Sequence, residues 1–194
     1  MASIVFVISI TSGSILVLLT ALSFLTGRFQ FWPPPSENSW QYLLFWTLFR
    51  IMLIGLLVLC FIDFNSLSAH SKPNYILGGP LIILGFGLAI FYTFYLGWGN
   101  AHGKRMGLKT RGIYQWSRNP IYVLSIVGMF GIGIVANSLF VDFILLLWAL
   151  MYLIAPFCEE PWLEKQYGLE FTQYKSRVPR FIGFRQCKSK GNHG

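Results

Sequence analysis

The sequence predicts an all-α integral membrane protein with five transmembrane helices, a tight hairpin between the fourth and fifth, and a cytoplasmic amphipathic C-terminal helix. The first observation is composition. Of 194 residues, 55% are hydrophobic and only 11% are charged, less than half of the roughly 25% typical of soluble domains. The second is that charge-free windows of about 20 apolar residues recur along the chain, which is the length a helix needs to cross a bilayer. A soluble fold is therefore excluded.

The five predicted spans are separated by polar or proline-rich breaks and cover residues 4–26, 40–64, 75–98, 120–136 and 139–157. The first span needs a separate argument because it could be mistaken for a signal peptide. The first 27 residues carry no charged side chain. They lack both the basic start and the small-residue cleavage site of a signal peptide, so we expect a retained transmembrane helix.

Basic residues are concentrated in two segments, which sets the predicted orientation. Five lysines and arginines lie between the third and fourth spans and seven follow the fifth, whereas the segment between the second and third carries only Lys72. The positive-inside rule then places the long third loop and the tail in the cytoplasm and the N-terminus outside. The net charge is +8, and the basic residues lie between or after the apolar segments. We therefore expect these residues to contact lipid headgroups, and we expect no nucleic-acid partner. No obligate protein partner is implied.

The three cysteines and the tail have separate implications. The cysteines are widely spaced and odd in number, so neither a disulfide framework nor a metal site is predicted. The tail predicts an amphipathic helix against a membrane or a protein, interrupted at Gly168 and ended by Pro179. Its apolar face consists of Trp162, Leu163, Tyr167, Phe171 and Tyr174.

The stretch "SRNPIY", residues 117–122, begins the fourth span. Asn119 is a preferred N-cap residue and Pro120 suits the first helical position. Arg118 and the free N–H groups of the helix start would form a pocket for a carboxylate or phosphate, with the Tyr122 hydroxyl further in. The alternative is an ordinary capped span with one positive-inside arginine.

Glu159 and Glu160 directly follow the last span. Because only "NS" separates the fourth and fifth spans, we expect this pair to return close to Arg118 and Asn119. An anion pocket beside carboxylates suits a zwitterionic ligand with hydroxyls, such as S-adenosylmethionine. The alternative is that the glutamates form salt bridges with the basic loop.

The motifs "GIYQWSRNPIY" and "EEPWLEKQYGLEFTQYKSRVP" together resemble the isoprenylcysteine carboxyl methyltransferase family, in a compact form of the prokaryotic type. The resemblance covers about residues 102–180. It implies an integral membrane methyltransferase that uses S-adenosyl-L-methionine on a lipophilic or prenylated acceptor reached from the bilayer, by carboxyl methylation of an isoprenylcysteine-like substrate. Residues 1–98 would then supply three helices and residues 99–194 the cofactor-binding region, within one structural domain.

The resemblance also implies the site residues. The cofactor site would comprise His102, Gly112, Tyr114, Arg118, Asn119, Pro120, Tyr122, Glu159 and Glu160, closed over by Tyr174 and Arg177. Arg50, a charge in the middle of the second span, is with Arg177 a candidate catalytic residue. The alternatives for Arg50 are pairing with a carbonyl or Asp63, or snorkelling. Eukaryotic members carry an arginine shortly before the glutamate pair, where this chain reads "LIAPFC".

Three other functions stay open on the sequence. A phospholipid or other lipid methyltransferase would use the same methyl donor on an amine. A membrane reductase would bind a nicotinamide cofactor instead. A non-catalytic scaffold would use the tail helix as its docking surface.

Overall fold

The computed structural model describes residues 1–27, 29–67, 72–97 and 107–183, which are entirely helical or irregular within these ranges. The described ranges contain six α-helices: α1 (Ala2–Thr26), α2 (Trp40–Ile62), α3 (Lys72–Leu96), α4 (Pro120–Ala136), α5 (Leu139–Tyr167) and α6 (Leu169–Lys175). A 3-10 helix, Gly112–Gln115, precedes α4. The predicted site residue His102 lies outside the described residues, as do Lys104 and Arg105 of the basic loop.

Four of the described helices are long and apolar enough to cross a membrane: α1, α2, the Asn74–Leu96 part of α3, and α5. Helix α4 is apolar but has 17 residues, a length of about 25 Å at 1.5 Å per residue. That is shorter than the roughly 30 Å hydrocarbon core of a bilayer. The count of five crossings therefore stays a prediction.

The fifth helix differs from its prediction. An end at residue 157 is wrong, because α5 continues through Pro156 and Pro161 to Tyr167. Charged residues after position 157 mark the end of the apolar stretch, but a helix can continue beyond it. Helix α5 ends at Gly168, whose positive φ of 53° favours glycine. Helix α6 ends at Lys175, four residues before the predicted stop at Pro179.

Helices α3 and α4 pack backbone to backbone through small residues. A Cβ atom placed on Gly85 would lie 2.3 Å from the backbone nitrogen of Gly128, and one on Gly131 would lie 2.6 Å from the carbonyl oxygen of Gly78. The glycines that predicted a close helix approach thus face α3 at positions 128 and 131. Gly133 faces the Asp142 side chain of α5 instead.

Helix α5 holds two helix pairs together. It packs against α1, α2 and α4, while α1 packs on α2 and α3 on α4. The largest core consists of side chains from α1, α2, α4 and α5, including Leu16, Met52, Leu59, Ile144 and Met151. No extensive packing joins α2 to α3 or α4 within the described ranges.

The two ends of the bundle are fastened by different loops. At one end, Asn137 donates a 2.7 Å hydrogen bond to Asn65, and Ser138 donates to Asp63. At the other end, the loop after α1 and the tail meet α5 near Glu159 and Glu160. Helix α4 therefore runs from the end that carries the tail to the end that carries the loop between α2 and α3.

Candidate functional site

A cavity of about 530 Å³ lies where α2, α4, α5, α6 and the loop after α1 converge. This volume falls within the range of about 300–1,000 Å³ that holds small ligands. Its walls are mainly aromatic and aliphatic. Nine of the predicted site residues line it: Arg50, Tyr114, Arg118, Asn119, Pro120, Tyr122, Glu159, Glu160 and Tyr174.

Two predicted residues do not line this cavity. Gly112 begins the 3-10 helix with a positive φ of 66°, a conformation that suits glycine. Tyr114, two residues further on in the same 3-10 helix, does line the cavity. Arg177 is exposed, and its backbone N–H continues the last turn of α6 by donating to the Tyr174 carbonyl. The tail cations that reach Glu160 are Lys175 and Arg180.

Glu160 is the centre of a network of charges that fastens the tail to α5. Its carboxylate is 4% exposed and accepts two hydrogen bonds of 2.7 Å from Arg180. Arg118 lies 3.0 Å and Lys175 3.9 Å from the same carboxylate. The hydrogen bond with Glu160 raises the pKa of Arg180. For Glu160, the structure therefore shows the alternative interpretation, in which this glutamate forms salt bridges with basic residues.

Arg118 retains donors that this network does not use. Its backbone N–H donates to the Pro179 carbonyl at 3.0 Å. Its Nη1 atom lies 3.0 Å from Glu160 Oε1 without the geometry of a hydrogen bond, and its Nε atom is buried without a hydrogen-bond partner in the described part of the chain. Burial lowers the pKa of Arg118, although the negative charge of Glu160 opposes this effect. A buried donor without an acceptor is costly, so the guanidinium favours a further anion on its cavity side.

Asn119 is the N-cap residue of α4 and Pro120 begins the helix, as predicted, but the Asn119 side chain does not cap it. This side chain instead donates a 3.0 Å hydrogen bond to the carbonyl oxygen of Arg180. The amide group can donate to a carbonyl as well as accept from an N–H, and the returning tail supplies that carbonyl. Asn119 therefore fixes the tail over the start of α4.

Glu159 has surroundings unlike those of its neighbour. Its Oε1 atom accepts a 2.7 Å hydrogen bond from the Trp32 indole and a short one from the Tyr122 hydroxyl. Among the described residues, no donor meets its Oε2 atom. Trp32 is itself held by stacking on Phe45, with ring centroids 4.2 Å apart. Glu159 is thus a positioned carboxylate with one oxygen available to the cavity.

The tail forms a cover over the cavity. The Tyr174 hydroxyl donates a 2.7 Å hydrogen bond to the backbone carbonyl of Tyr114, and Phe171 and Val178 complete a small buried cluster. Burial raises the pKa of both tyrosines, so their hydroxyls stay neutral. The Tyr114 hydroxyl is buried without a partner. The amphipathic tail thus packs on the protein's own surface.

Arg50 lines the cavity from α2 and is exposed. Within the described residues its side chain has no hydrogen bond or ion pair. The suggested pairing with Asp63 is wrong, because Asp63 accepts from Ser66 and Ser138. Arg50 shares one helical face with other cavity-lining residues: Tyr42, Phe45, Trp46, Phe49 and Leu53.

Three residues of the site were missed in the sequence. Trp32 lies in the proline-rich "FWPPP" stretch, which has no periodicity to relate it to Glu159. Lys175 and Arg180 belong to a run of basic residues that the positive-inside rule already explains. The spacing of Glu160 and the tail cations across the turn at Gly168 could have suggested the network, since a chain reversal brings them together.

The phospholipid methyltransferase family matches residues 73–170, about half of the chain. Among curated relatives, a cobalt-zinc-cadmium resistance protein, CzcN, of Cupriavidus metallidurans is 31% identical over 64% of this chain and 60% of its own length. A phosphatidylethanolamine N-methyltransferase of Eremothecium gossypii is 27% identical over 79% of this chain. A nickel-cobalt-cadmium resistance protein, NccN, of Alcaligenes xylosoxydans xylosoxydans is 37% identical over 41% of this chain. No solved structure matches.

The chain spans less than two thirds of each of these relatives. The shares are 60% of the first, 20% of the second and 37% of the third. Two of the relatives are named for resistance to metals. In the part of this chain that the structure describes, no group of three or more His, Cys, Asp and Glu side chains is placed to hold a metal ion.

Proposed function

This chain belongs to the phospholipid methyltransferase family, and on that premise we propose that it uses S-adenosylmethionine to methylate the amine of a membrane phospholipid. The proposal takes precedence over carboxyl methylation of an isoprenylcysteine-like substrate. Support comes from the family match and from a relative named phosphatidylethanolamine N-methyltransferase. The reductase and scaffold alternatives have no such support.

The observation that carries the proposal is the open oxygen of Glu159 in the cavity. An amine acceptor is an ammonium ion at neutral pH and is attracted to a carboxylate. A carboxylate acceptor would be repelled by the same group. Glu159 therefore favours an amine, in agreement with the absence of a cation in "LIAPFC" just before the pair.

Polar groups without partners suit the methyl donor. Arg118 offers its Nε donor, which the ion pair with Glu160 does not use, and Tyr114 offers an unpaired hydroxyl, both on cavity-lining residues. A planar guanidinium meets a carboxylate with two parallel hydrogen bonds, so Arg118 would hold the carboxylate of the methionine moiety. Tyr114 would hold a hydroxyl or ring nitrogen. When bound, S-adenosylmethionine supplies an electrophilic methyl group.

The residues of the cavity then prepare the acceptor. Glu159 Oε2 would hold the ammonium group and take one of its protons, which would leave a neutral nitrogen with a free lone pair. The bound donor would supply its methyl group to this nitrogen, and its sulfur would keep the electrons of the S–C bond. Hydrogen bonds from Trp32 and Tyr122 to Oε1 keep the carboxylate oriented, and orientation of this kind lowers a barrier by several kcal/mol.

The lipid and the methyl donor would enter the cavity by separate routes. The tail, held by Glu160 and Tyr174, closes the cavity on the side of the basic loop and keeps water from the reacting groups. We propose that the side between α2 and the α3–α4 pair, where no extensive packing is found among the described residues, is an opening toward the bilayer. A lipid would enter through that opening, and the methyl donor from the aqueous side.

The test is to incubate the purified protein with methyl-labelled S-adenosylmethionine in bilayers that contain phosphatidylethanolamine. We expect label in a phospholipid that keeps it under mild base, since N-methyl groups resist hydrolysis. Release of labelled methanol by base would instead identify a carboxyl ester and overturn the amine assignment. Bilayers of phosphatidylcholine alone are the matched control, because that lipid has no amine left to methylate.

A further inference from the structure

We propose that Arg50 binds the phosphate of the acceptor lipid, so that the cavity recognises an ethanolamine phosphate by both of its charges. This rests on the proposed function, since it assigns the second half of the headgroup whose amine Glu159 holds. It makes Arg50 a residue that determines substrate specificity. Its contribution is binding, with no part in proton transfer.

The first argument is the position of an unpaired charge. Arg50 lies near the middle of α2, a candidate membrane span, lines the cavity and has no partner among the described residues. Ionisable residues within spans are costly, and they commonly mark a pathway or a ligand. The described protein leaves Arg50 without a counter-charge, so an anionic ligand would supply it.

The second argument is that the other cavity charges are already engaged. Glu160 is held by Arg180 and Arg118. Lys109 lies over the Tyr95 ring, 5.8 Å from its centroid. Glu159 faces the cavity as the acceptor for a cation. Arg50 is therefore the cation best placed for an anion on the α2 side of the cavity.

The third argument is the order of charges along the bundle. Phe45 stacks on Trp32, which donates to Glu159. Arg50 follows Phe45 by five residues, about 7.5 Å along the helix axis and further into the span. A phospholipid headgroup has the same order from the aqueous side inward: ammonium, then phosphate, then acyl chains. The acyl chains would leave through the opening beside α2.

Arginine also matches the chemistry of a phosphodiester. Its planar fork can donate two hydrogen bonds to two phosphate oxygens, and charge-assisted bonds of this kind are stronger than neutral ones. A prenylated carboxylate could offer the same fork geometry, but it would bring no ammonium group for Glu159. The phosphodiester is thus the anion that satisfies both residues.

The experiment compares two acceptors in wild type, Arg50→Gln and Arg50→Lys. Phosphatidylethanolamine carries the amine and the phosphate, whereas hexadecylamine carries the amine alone. Arg50→Gln should raise the KM for phosphatidylethanolamine about tenfold or more, as expected for loss of a charge-assisted contact. Its effect on the KM for hexadecylamine, which has no phosphate, should be much smaller. Arg50→Lys should fall between. Arg111→Gln, an exposed cation that does not line the cavity, is the matched control.

A binding measurement keeps this proposal separate from the proposed function. Native mass spectrometry of the detergent-purified protein, without S-adenosylmethionine, should show phosphatidylethanolamine retained by wild type and Arg111→Gln and lost from Arg50→Gln. Equal retention by Arg50→Gln and wild type would overturn the role of Arg50 whether or not the lipid is methylated. Absence of methylation in wild type would count against the proposed function alone. Equal loss of affinity for both acceptors in Arg50→Gln would also contradict phosphate recognition.

Discussion

Glu159 and Glu160 are adjacent in α5, and the turn of about 100° between successive helical residues sends their carboxylates to different neighbours. Glu160 meets Arg118 and Arg180, which belong to the loop before α4 and to the tail. Glu159 meets Trp32 and Tyr122 and keeps one oxygen open. One glutamate therefore serves the structure of the cover and the other is available for chemistry.

Substitution by glutamine should separate these two roles. Glu160→Gln removes the negative charge of a buried ion pair. Loss of one partner of such a pair lowers the free energy of unfolding by about 3 kcal/mol or more. We expect a clear fall in the thermal unfolding temperature in detergent. Glu159→Gln should keep the wild-type unfolding temperature and lose methyl transfer. Equal unfolding temperatures for the two variants would show that Glu160 does not stabilise the cover.

Sequence spacing was sufficient to place Glu160 near Arg118, because two helices joined by "NS" must return to the same end of the bundle. Sequence spacing was not sufficient to predict the hydrogen bond of the Asn119 side chain. An amide can both donate and accept, so its partner depends on which group the tertiary fold brings close. The role of Trp32 could not be predicted for a related reason. Its contact with Glu159 joins residues 127 positions apart, and no local pattern records such a contact.

At the scale of elements, the α3–α4 contact depends on glycines at the point of closest approach. Gly85→Ala would put a methyl group 2.3 Å from the backbone of Gly128, so the helices must separate. Overpacking of this kind costs about 1–3 kcal/mol. Gly87→Ala is the control, since nothing lies within 4 Å of its Cβ position, and alanine should gain up to about 1 kcal/mol in helix propensity. Unfolding temperatures that move together in the two variants would contradict this contact.

The cover formed by α6 depends on one buried hydroxyl. Tyr174→Phe removes the 2.7 Å hydrogen bond to the Tyr114 carbonyl and leaves the ring packing intact, at a cost of about 1 kcal/mol. We expect faster proteolysis within α6 and faster amide hydrogen exchange around position 114, while the rest of the bundle keeps wild-type exchange. Exchange unchanged at both places would show that the cover is held by other contacts.

The elements themselves were more predictable than their ends. The predicted starts at residues 40, 120 and 139 are the starts of α2, α4 and α5 in the structure. The Ser39 and Ser138 side chains, which were not used to predict these starts, cap α2 and α5. The end of α5 was not predictable from hydropathy, since the helix outlasts its apolar stretch. The packing of the tail on the cavity needed the tertiary contacts of Phe171 and Tyr174.

For the whole molecule, the two differently fastened ends make the predicted orientation testable. In a cysteine-free background, single cysteines at the exposed positions Ser36 and Leu67 should differ. An impermeant thiol reagent added outside should label position 67 and spare position 36, since the tail and the loop after α1 share the cytoplasmic end. The reverse pattern would invert the orientation and place the cofactor site outside the cell.

The most direct test of the cavity as a methyl-transfer site is equilibrium dialysis of labelled S-adenosylmethionine against the detergent-purified protein. Wild type and the control Arg111→Gln should bind saturably and alike. Arg118→Lys keeps a positive charge beside Glu160 but loses the planar fork, so we predict at least tenfold weaker binding, or about 1.4 kcal/mol. Absence of saturable binding in wild type, or wild-type affinity in Arg118→Lys, would contradict the assignment.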